Sequence, residues 1–138
     1  MTSKDVMAPV VLPRTRLEII LDQYVVALSV VVLLFGLRQW AIILGALPGA
    51  GGPFEDMSTP WFVVTIHMAV VDLVAAVGLW LRVAGGKVLW VYSALFEITL
   101  HTVFTGTFGI DWLVVGFHAA TLTVFVVLTI LVWRQPRR

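Results

Sequence analysis

The sequence predicts an all-α membrane protein, a bundle of four transmembrane helices with both termini on the cytoplasmic side. Three observations predict it. Of 138 residues, 60% are hydrophobic and only 12% charged, where an ordinary soluble domain is about 25% charged. The apolar residues gather into four runs, each near the roughly 20 residues that a hydrocarbon core about 30 Å thick requires. Lys and Arg fall at alternate connections between those runs, which orients the chain. Four such spans use nearly the whole length, so no separate soluble catalytic domain is expected. The formal net charge of +1 sums a strongly asymmetric distribution and points to no nucleic-acid partner. Cysteine is absent, which removes disulfides, thiolate metal sites and a thiol nucleophile.

Residues 1–14 read as a cytoplasmic arm holding Ser3, Lys4, Asp5, Pro9 and Pro13, the last of which marks the boundary before the first helix. The apolar run behind it is too long for a signal-peptide core and lacks a small-x-small cleavage site, so it reads as an uncleaved span. The four-helix domain covers residues 15–134. Helix one is expected over about 15–47, with its apolar heart at Tyr24 to Leu37 and a second apolar piece from Ala41 to Leu47, long enough to tilt or project. Pro48 to Ser58 is a glycine-rich loop between prolines, which no helix sustains. It lacks the Lys-Ser/Thr pair and the strand context of a phosphate-binding loop. Helix two is expected over 60–82, with Thr59 as its cap and Pro60 at its first position, and Gly85 and Gly86 ending it. Helix three is expected over 87–107. Gly109 and Asp111 then supply a tight turn and an N-cap for helix four, 111–133, and residues 135–138 form a short basic tail.

Orientation follows from the connections. Lys4, Arg14, Arg16, Arg82, Lys87, Arg134, Arg137 and Arg138 all fall on one side of a four-span arrangement, and the loops of the other side hold none. Glu55, Asp56 and Asp111 fall on the outer side, where Trp61 and Trp112 mark the interface as Trp80, Trp90 and Trp133 mark the inner one.

Charged side chains within a span cost roughly 2.5 to 3.5 kcal/mol each on insertion scales, so they need partners or a role. Helix one holds Arg38, helix two His67 and Asp72, helix three Glu97 and His101, and helix four His118. At about 1.5 Å per residue, His67, His101, His118 and Arg38 lie roughly 9 to 14 Å below the outer boundary, and Asp72 and Glu97 about 15 to 18 Å below it. Glu97 and His101 are adjacent on one side of helix three, in a stripe with Ser93 and Thr105. The opposite side is bulky: Leu89, Tyr92, Phe96, Leu100, Val103. On helix two, Met68, Val71, Ala75 and Gly78 fill the sector between His67 and Asp72, while Ile66, Val70, Leu73, Val77 and Trp80 form a lipid-facing side. Asp111 and His118 are nearly aligned on helix four. The expectation is one polar cluster of His67, Asp72, Glu97, His101, His118 and Arg38 at a common interior.

Three roles suit such a cluster. In the plainest, its members are interhelical hydrogen-bond partners, with Arg38 snorkelling toward the outer interface beside Gln39 and Trp40. The protein is then a small accessory or interaction subunit whose partners are the lipid bilayer and other membrane subunits or further copies of itself. In the second, imidazoles are ligands. Two at one depth can hold a haem iron axially with Arg38 on a propionate, or His67, His101 and His118 can hold a metal ion. In the third, the Asp, Glu and His side chains form a proton- or quinone-linked relay. No catalytic residue is assigned, since Ser93 has no hydrolase motif around it.

The end of helix one, Phe35-Gly-Leu-Arg38, and helix two from Asp72, Asp-Leu-Val-Ala-Ala-Val-Gly-Leu-Trp-Leu, resemble the corresponding stretches of the DoxX-like family of small four-helix bacterial inner-membrane proteins. The resemblance covers about half the chain. It implies four spans in the bacterial inner membrane and, as in some members, partnership with quinone-linked or thiol-linked oxidoreductases. The acid of helix two stands here near mid-span, as Asp72, rather than as a Glu near the start of the helix.

Overall fold

A computed structural model describes residues 13–136; Lys4 and most of the arm, with Arg137 and Arg138 of the basic tail, lie outside the described residues. The described residues form α1 (Arg16–Ile43), α2 (Thr59–Trp80), α3 (Ala84–Thr102), the short α4 (Thr105–Phe108) and α5 (Trp112–Trp133), with a 3-10 turn at Phe54–Asp56. Three of these helices, α1, α2 and α5, are long and apolar enough to cross a membrane. The other long helix, α3, has 19 residues. It carries Lys87, Ser93, Glu97, Thr99 and His101, and this polar content keeps it out of that group.

Local chemistry sets the helix ends. α1 opens in a capping box: the Glu18 amide donates to Thr15 Oγ1 at 3.3 Å, and the Thr15 amide donates to Glu18 Oε2 at 2.8 Å. It stops at Ile43 and does not continue to Leu47. Gly45 takes a left-handed φ of 72°, and the amides of Gly45 and Ala46 turn back to the carbonyls of Ile42 and Ala41 at 3.0 and 2.8 Å, a Schellman closure. α2 closes in the same way, the amides of Arg82 and Val83 reaching the carbonyls of Leu79 and Gly78 at 2.9 and 3.1 Å. Here Arg82, at φ 58°, takes the position that favours glycine. Ser58, not Thr59, is the cap residue of α2, which leaves Pro60 still within the first turn, where a missing N–H is tolerated. Gly85 and Gly86 lie inside α3 instead of ahead of it, and the helix ends at Thr102, with α4 filling part of the stretch expected to continue it. Asp111 caps α5 as its sequence position suggests: Oδ1 accepts from the amides of Leu113 and Val114 at 3.0 and 3.1 Å.

α1 packs on α2, α2 on α3, α3 on α5, and α5 closes back on α1. Cross-contacts run antiparallel between neighbours. Gly36 lies against Leu73, and Trp40 Nε1 donates to the Ala69 carbonyl at 3.2 Å. Glu97 meets His118, and about two turns along, Trp90 meets Phe125 with ring centres 5.4 Å apart. The start of α1 therefore meets the end of α5, where Thr15 Oγ1 donates to Gln135 Oε1 at 2.7 Å. Asp22 lies at this same end. Its Oδ2 stands 2.7 Å from Arg14 Nη1 and 3.6 Å from Arg82 Nη1, tying the α2–α3 turn to α1. The basic residues Arg14, Arg16, Arg82, Lys87 and Arg134 thus gather at a termini end, and the two long connections, 44–58 and 103–111, form the opposite, loop end.

The buried apolar cluster of Val25, Leu28, Val32, Ala75, Ala76, Leu79 and Trp90 fills the half toward the termini. Small residues let α2 and α3 come into backbone contact there: a Cβ on Gly78 would sit 2.5 Å from the Gly86 Cα. α5 is different, contributing His118 as its one buried side chain and turning Val124, Val126, Val127, Ile130 and Leu131 outward.

Gly86→Ala is expected to lower the melting temperature of the detergent-purified protein by the equivalent of about 1–3 kcal/mol, since two backbones must separate to admit the methyl group. Gly85→Ala, where the methyl meets nothing within 4 Å, should leave it within about 0.5 kcal/mol of the parent. Thermal unfolding of both variants beside the parent checks the contrast.

Candidate functional site

At the loop end, a cavity of about 370 Å³ opens between α1, α2, α3 and α5, a size typical of small-molecule sites. Aromatic pairs build its walls. Phe35 of α1 meets Phe117 of α5 edge to face at 5.4 Å, and Trp61 of α2 meets Phe108 of α4 at 4.9 Å. Met68 and Leu100 add apolar surface, and Arg38, Glu97, His101, Asp111 and His118 supply the polar part of the lining.

The polar part is organised by α3. Ser93, Glu97 and His101 follow one another at four-residue spacing, so they stack on one side of the helix at intervals of about 6 Å. Each reaches a different element. Nearest the mouth, His101 Nδ1 lies 3.2 Å from the Gly109 carbonyl in the turn before α5. A carbonyl only accepts, so this nitrogen carries the proton. One turn deeper, Glu97 Oε2 lies 3.1 Å from His118 Nε2 of α5, with side chains only 17% and 5% exposed. Another turn down, Ser93 Oγ donates to Asp72 Oδ1 of α2 at 2.6 Å. Asp72 Oδ2 and His118 Nδ1 are buried without a protein partner.

Four of the six residues expected to cluster, Arg38, Glu97, His101 and His118, line the one cavity. Asp72 sits beneath it, linked through α3. His67 does not join them. Its Nε2 lies 2.9 Å from the Tyr92 hydroxyl, and its ring packs 5.0 Å from Phe96, so the histidine belongs to the α2–α3 interface. The bulky side of helix three is correspondingly mixed: Leu100 is buried and Tyr92 and Phe96 pack on His67, while Val103 is exposed. The shared depth of the three imidazoles does not bring them together as a ligand set. His67 and His118 reach α3 from opposite neighbours, at Tyr92 and Glu97, and His101 turns to the Gly109 carbonyl. Among the described residues, no three His, Cys, Asp or Glu side chains converge as a metal site requires.

The fold also puts to use several residues outside the expected cluster. Asp22 lay just before the apolar heart of helix one, yet it gathers Arg14 and Arg82. Its sequence signal is an acid at the edge of an apolar run with Arg14 and Arg16 about two turns upstream. Tyr92, on the bulky side of helix three, is a phenol that needs a hydrogen-bond partner, and it finds one in His67. Asp111, expected as a cap nearly aligned with His118, also lines the cavity.

A family model described as a family of unknown function, DUF6163, matches residues 19–136. The chain belongs to that family. No curated protein and no solved structure matches it.

Chemically, a buried carboxylate–imidazole pair on a cavity wall can hold a proton or offer one to a ligand, and Arg38 can meet an anionic group. Removing one partner leaves the other buried and unpaired. Glu97→Leu and His118→Leu are each expected to destabilise the protein by about 3 kcal/mol. The double variant should lose less than the sum, by at least about 1 kcal/mol. Unfolding in detergent across the mutant cycle measures that difference, and additive losses would show the contact to be energetically idle.

Proposed function

We propose that this family member spans the bacterial inner membrane four times with both termini in the cytoplasm, and that it is an accessory, ligand-binding subunit rather than an enzyme. Its ligand enters the loop-end cavity from the outer side. The observation that carries this reading is the Glu97–His118 pair: two ionisable side chains almost removed from solvent, yet set in the wall of an aromatic-lined cavity. The ligand that suits such a wall has an apolar, ring-bearing body lying against Phe35, Trp61, Phe108 and Phe117. Its hydrogen-bonding head meets Glu97, His118 and Arg38.

A crossing role for α3 is supported by where its polarity goes. Ser93, Glu97 and His101 point to partners in the protein. The hydroxyls of Thr99 and Thr102 return to carbonyls of their own helix at 2.7 Å each, which hides them from lipid. Outward-facing Val88, Leu95 and Val103 complete an apolar exterior. The orientation rests on the gathering of Arg14, Arg16, Arg82, Lys87 and Arg134 at the termini end, the side that stays in the cytoplasm. The two stretches that resemble DoxX-like proteins contain Phe35 and Arg38 of the cavity wall and Asp72 beneath it, which supports the same membrane and an auxiliary role. The outward apolar side of α5 meets lipid or a partner subunit.

The cysteine-free chain allows a direct topology test. With a membrane-impermeant maleimide on intact cells, Glu55→Cys and Gly106→Cys are expected to label, and Lys87→Cys and Arg134→Cys only after lysis. If positions 87 and 106 label from the same side, α3 does not cross and the four-span reading falls. For the ligand, the protein purified in lipid nanodiscs is extracted with organic solvent and analysed by mass spectrometry. A small molecule near one equivalent is expected, reduced at least tenfold in Val114→Trp, which fills the cavity. Equal content in both proteins would remove the binding reading. A Soret band or one equivalent of metal in the same sample would replace it with the cofactor reading.

A further inference from the structure

We propose that Asp72 is the inner end of a proton-exchange path that opens only through the loop-end cavity, with the Glu97–His118 pair as its intermediate station. The inference deepens the binding reading above, on which it rests for the cavity being open to the outer medium.

Two atoms define the path. Asp72 is 2% exposed and His118 4%. Each is held on one side and free on the other: Ser93 fixes Asp72 Oδ1 and Glu97 fixes His118 Nε2, while Asp72 Oδ2 and His118 Nδ1 meet no protein partner. Buried polar atoms are normally satisfied, and those left over mark places for water, a ligand or a proton. A clamped carboxyl and a clamped imidazole, each with one open valence, are suited to pass a proton without reorienting.

The surroundings decide the direction. Above Asp72, α3 supplies Glu97, one turn from the Ser93 that holds Asp72, and α5 supplies His118, which Glu97 holds, and beyond them Arg38 of α1, His101 and Asp111 line the open cavity. On α2 itself, His67 is turned away to Tyr92. Toward the termini, Val25, Leu28, Val32, Ala75, Ala76, Leu79 and Trp90 close the interior. The one polar atom of that layer without a partner, Trp90 Nε1, donates only and cannot accept a proton. Asp22 lies at the termini end, engaged with Arg14 and Arg82. The path is therefore a well and not a channel.

In the exchange step, a proton from the cavity adds to the neutral imidazole of His118, with the Glu97 carboxylate balancing the imidazolium. The proton on Nδ1 of the imidazolium then leaves and binds Asp72 Oδ2 through intervening water, the cavity's proton remaining on Nε2 beside Glu97. Imidazolium returns to imidazole, carboxylate becomes carboxylic acid, and no electrons change owner. A ligand whose head gains or loses a proton beside Glu97 and His118 thereby changes the charge on Asp72 and, through Ser93, the bond between α2 and α3.

The test uses infrared spectroscopy of the full chain in nanodiscs. Acid-minus-alkaline difference spectra are expected to contain a carboxylic C=O stretch that is missing in Asp72→Asn. After transfer to deuterated buffer that band shifts, and the rate of the shift is read. Glu97→Gln, His118→Phe and the cavity-filling Val114→Trp are each expected to slow it at least tenfold. Trp90→Phe, on the sealed side, should leave it unchanged. Absence of an Asp72-dependent band, or equal rates in the parent, Glu97→Gln and His118→Phe, would overturn the proposal. Glu97→Gln, nearly isosteric, keeps the test decisive if His118→Phe fails to fold. Absence of a bound molecule together with slowed exchange would sink the ligand reading alone. Loss of the molecule in Val114→Trp with unslowed exchange would sink the path alone.

Discussion

A helix surrounded by apolar material satisfies its own amides and carbonyls, so any polar side chain it carries inward must find its partner on a neighbouring element. In this protein that constraint falls on α3. His101, Glu97 and Ser93 reach the turn before α5, α5 itself and α2, in that order from mouth to floor. Three bonds to three elements fix the height and rotation of α3, and with them the relative depth of α2 and α5. α5 needs that fixing most, having only His118 buried among its 22 residues.

The two ends of the molecule use different side chains to opposite effect. At the termini end, Gly78 and Gly86 let two backbones touch, and Asp22 draws Arg14 and Arg82 together over the junction. Arg82 holds a left-handed conformation there, which costs a side-chain-bearing residue about 1–2 kcal/mol. Its position over Asp22 supplies a partial offset. At the loop end, Phe35, Trp61, Phe108 and Phe117 stand edge to face and keep the helices from closing. Small residues seal one half, and large ones hold the other half open.

An interior open at one end and closed at the other suits a protein that receives a molecule or a proton and keeps it, in contrast to one that passes it across. The ionisable groups are spaced accordingly. His101 and Arg38 lie on the cavity wall, Glu97 and His118 form its most buried pair, and Asp72 lies beyond in the closed interior.

Hydropathy was enough to locate the long helices along the chain, because a long apolar run between polar, glycine- and proline-bearing stretches is a property of each segment by itself. The N-cap at Asp111 was legible for the same reason, since a cap is a contact between residues two or three apart. Gly45 as the stop of α1 was open to the same kind of reading, but the apolar run past it concealed the stop. Which inward residues meet was another matter. Depth and helical facing put His67 level with His101 and His118, yet neither quantity says how one helix is rotated against the next. Only the packing of Gly36 on Leu73, Gly78 on Gly86 and Trp90 on Phe125 sets those rotations. It sends His67 to Tyr92 and joins Glu97 to His118. The sequence by itself determined which helix carries each ionisable side chain and how far along it, since both are properties of one segment. Which of them touch was decided by the tertiary structure, because contact depends on the mutual rotation of helices that no single segment encodes.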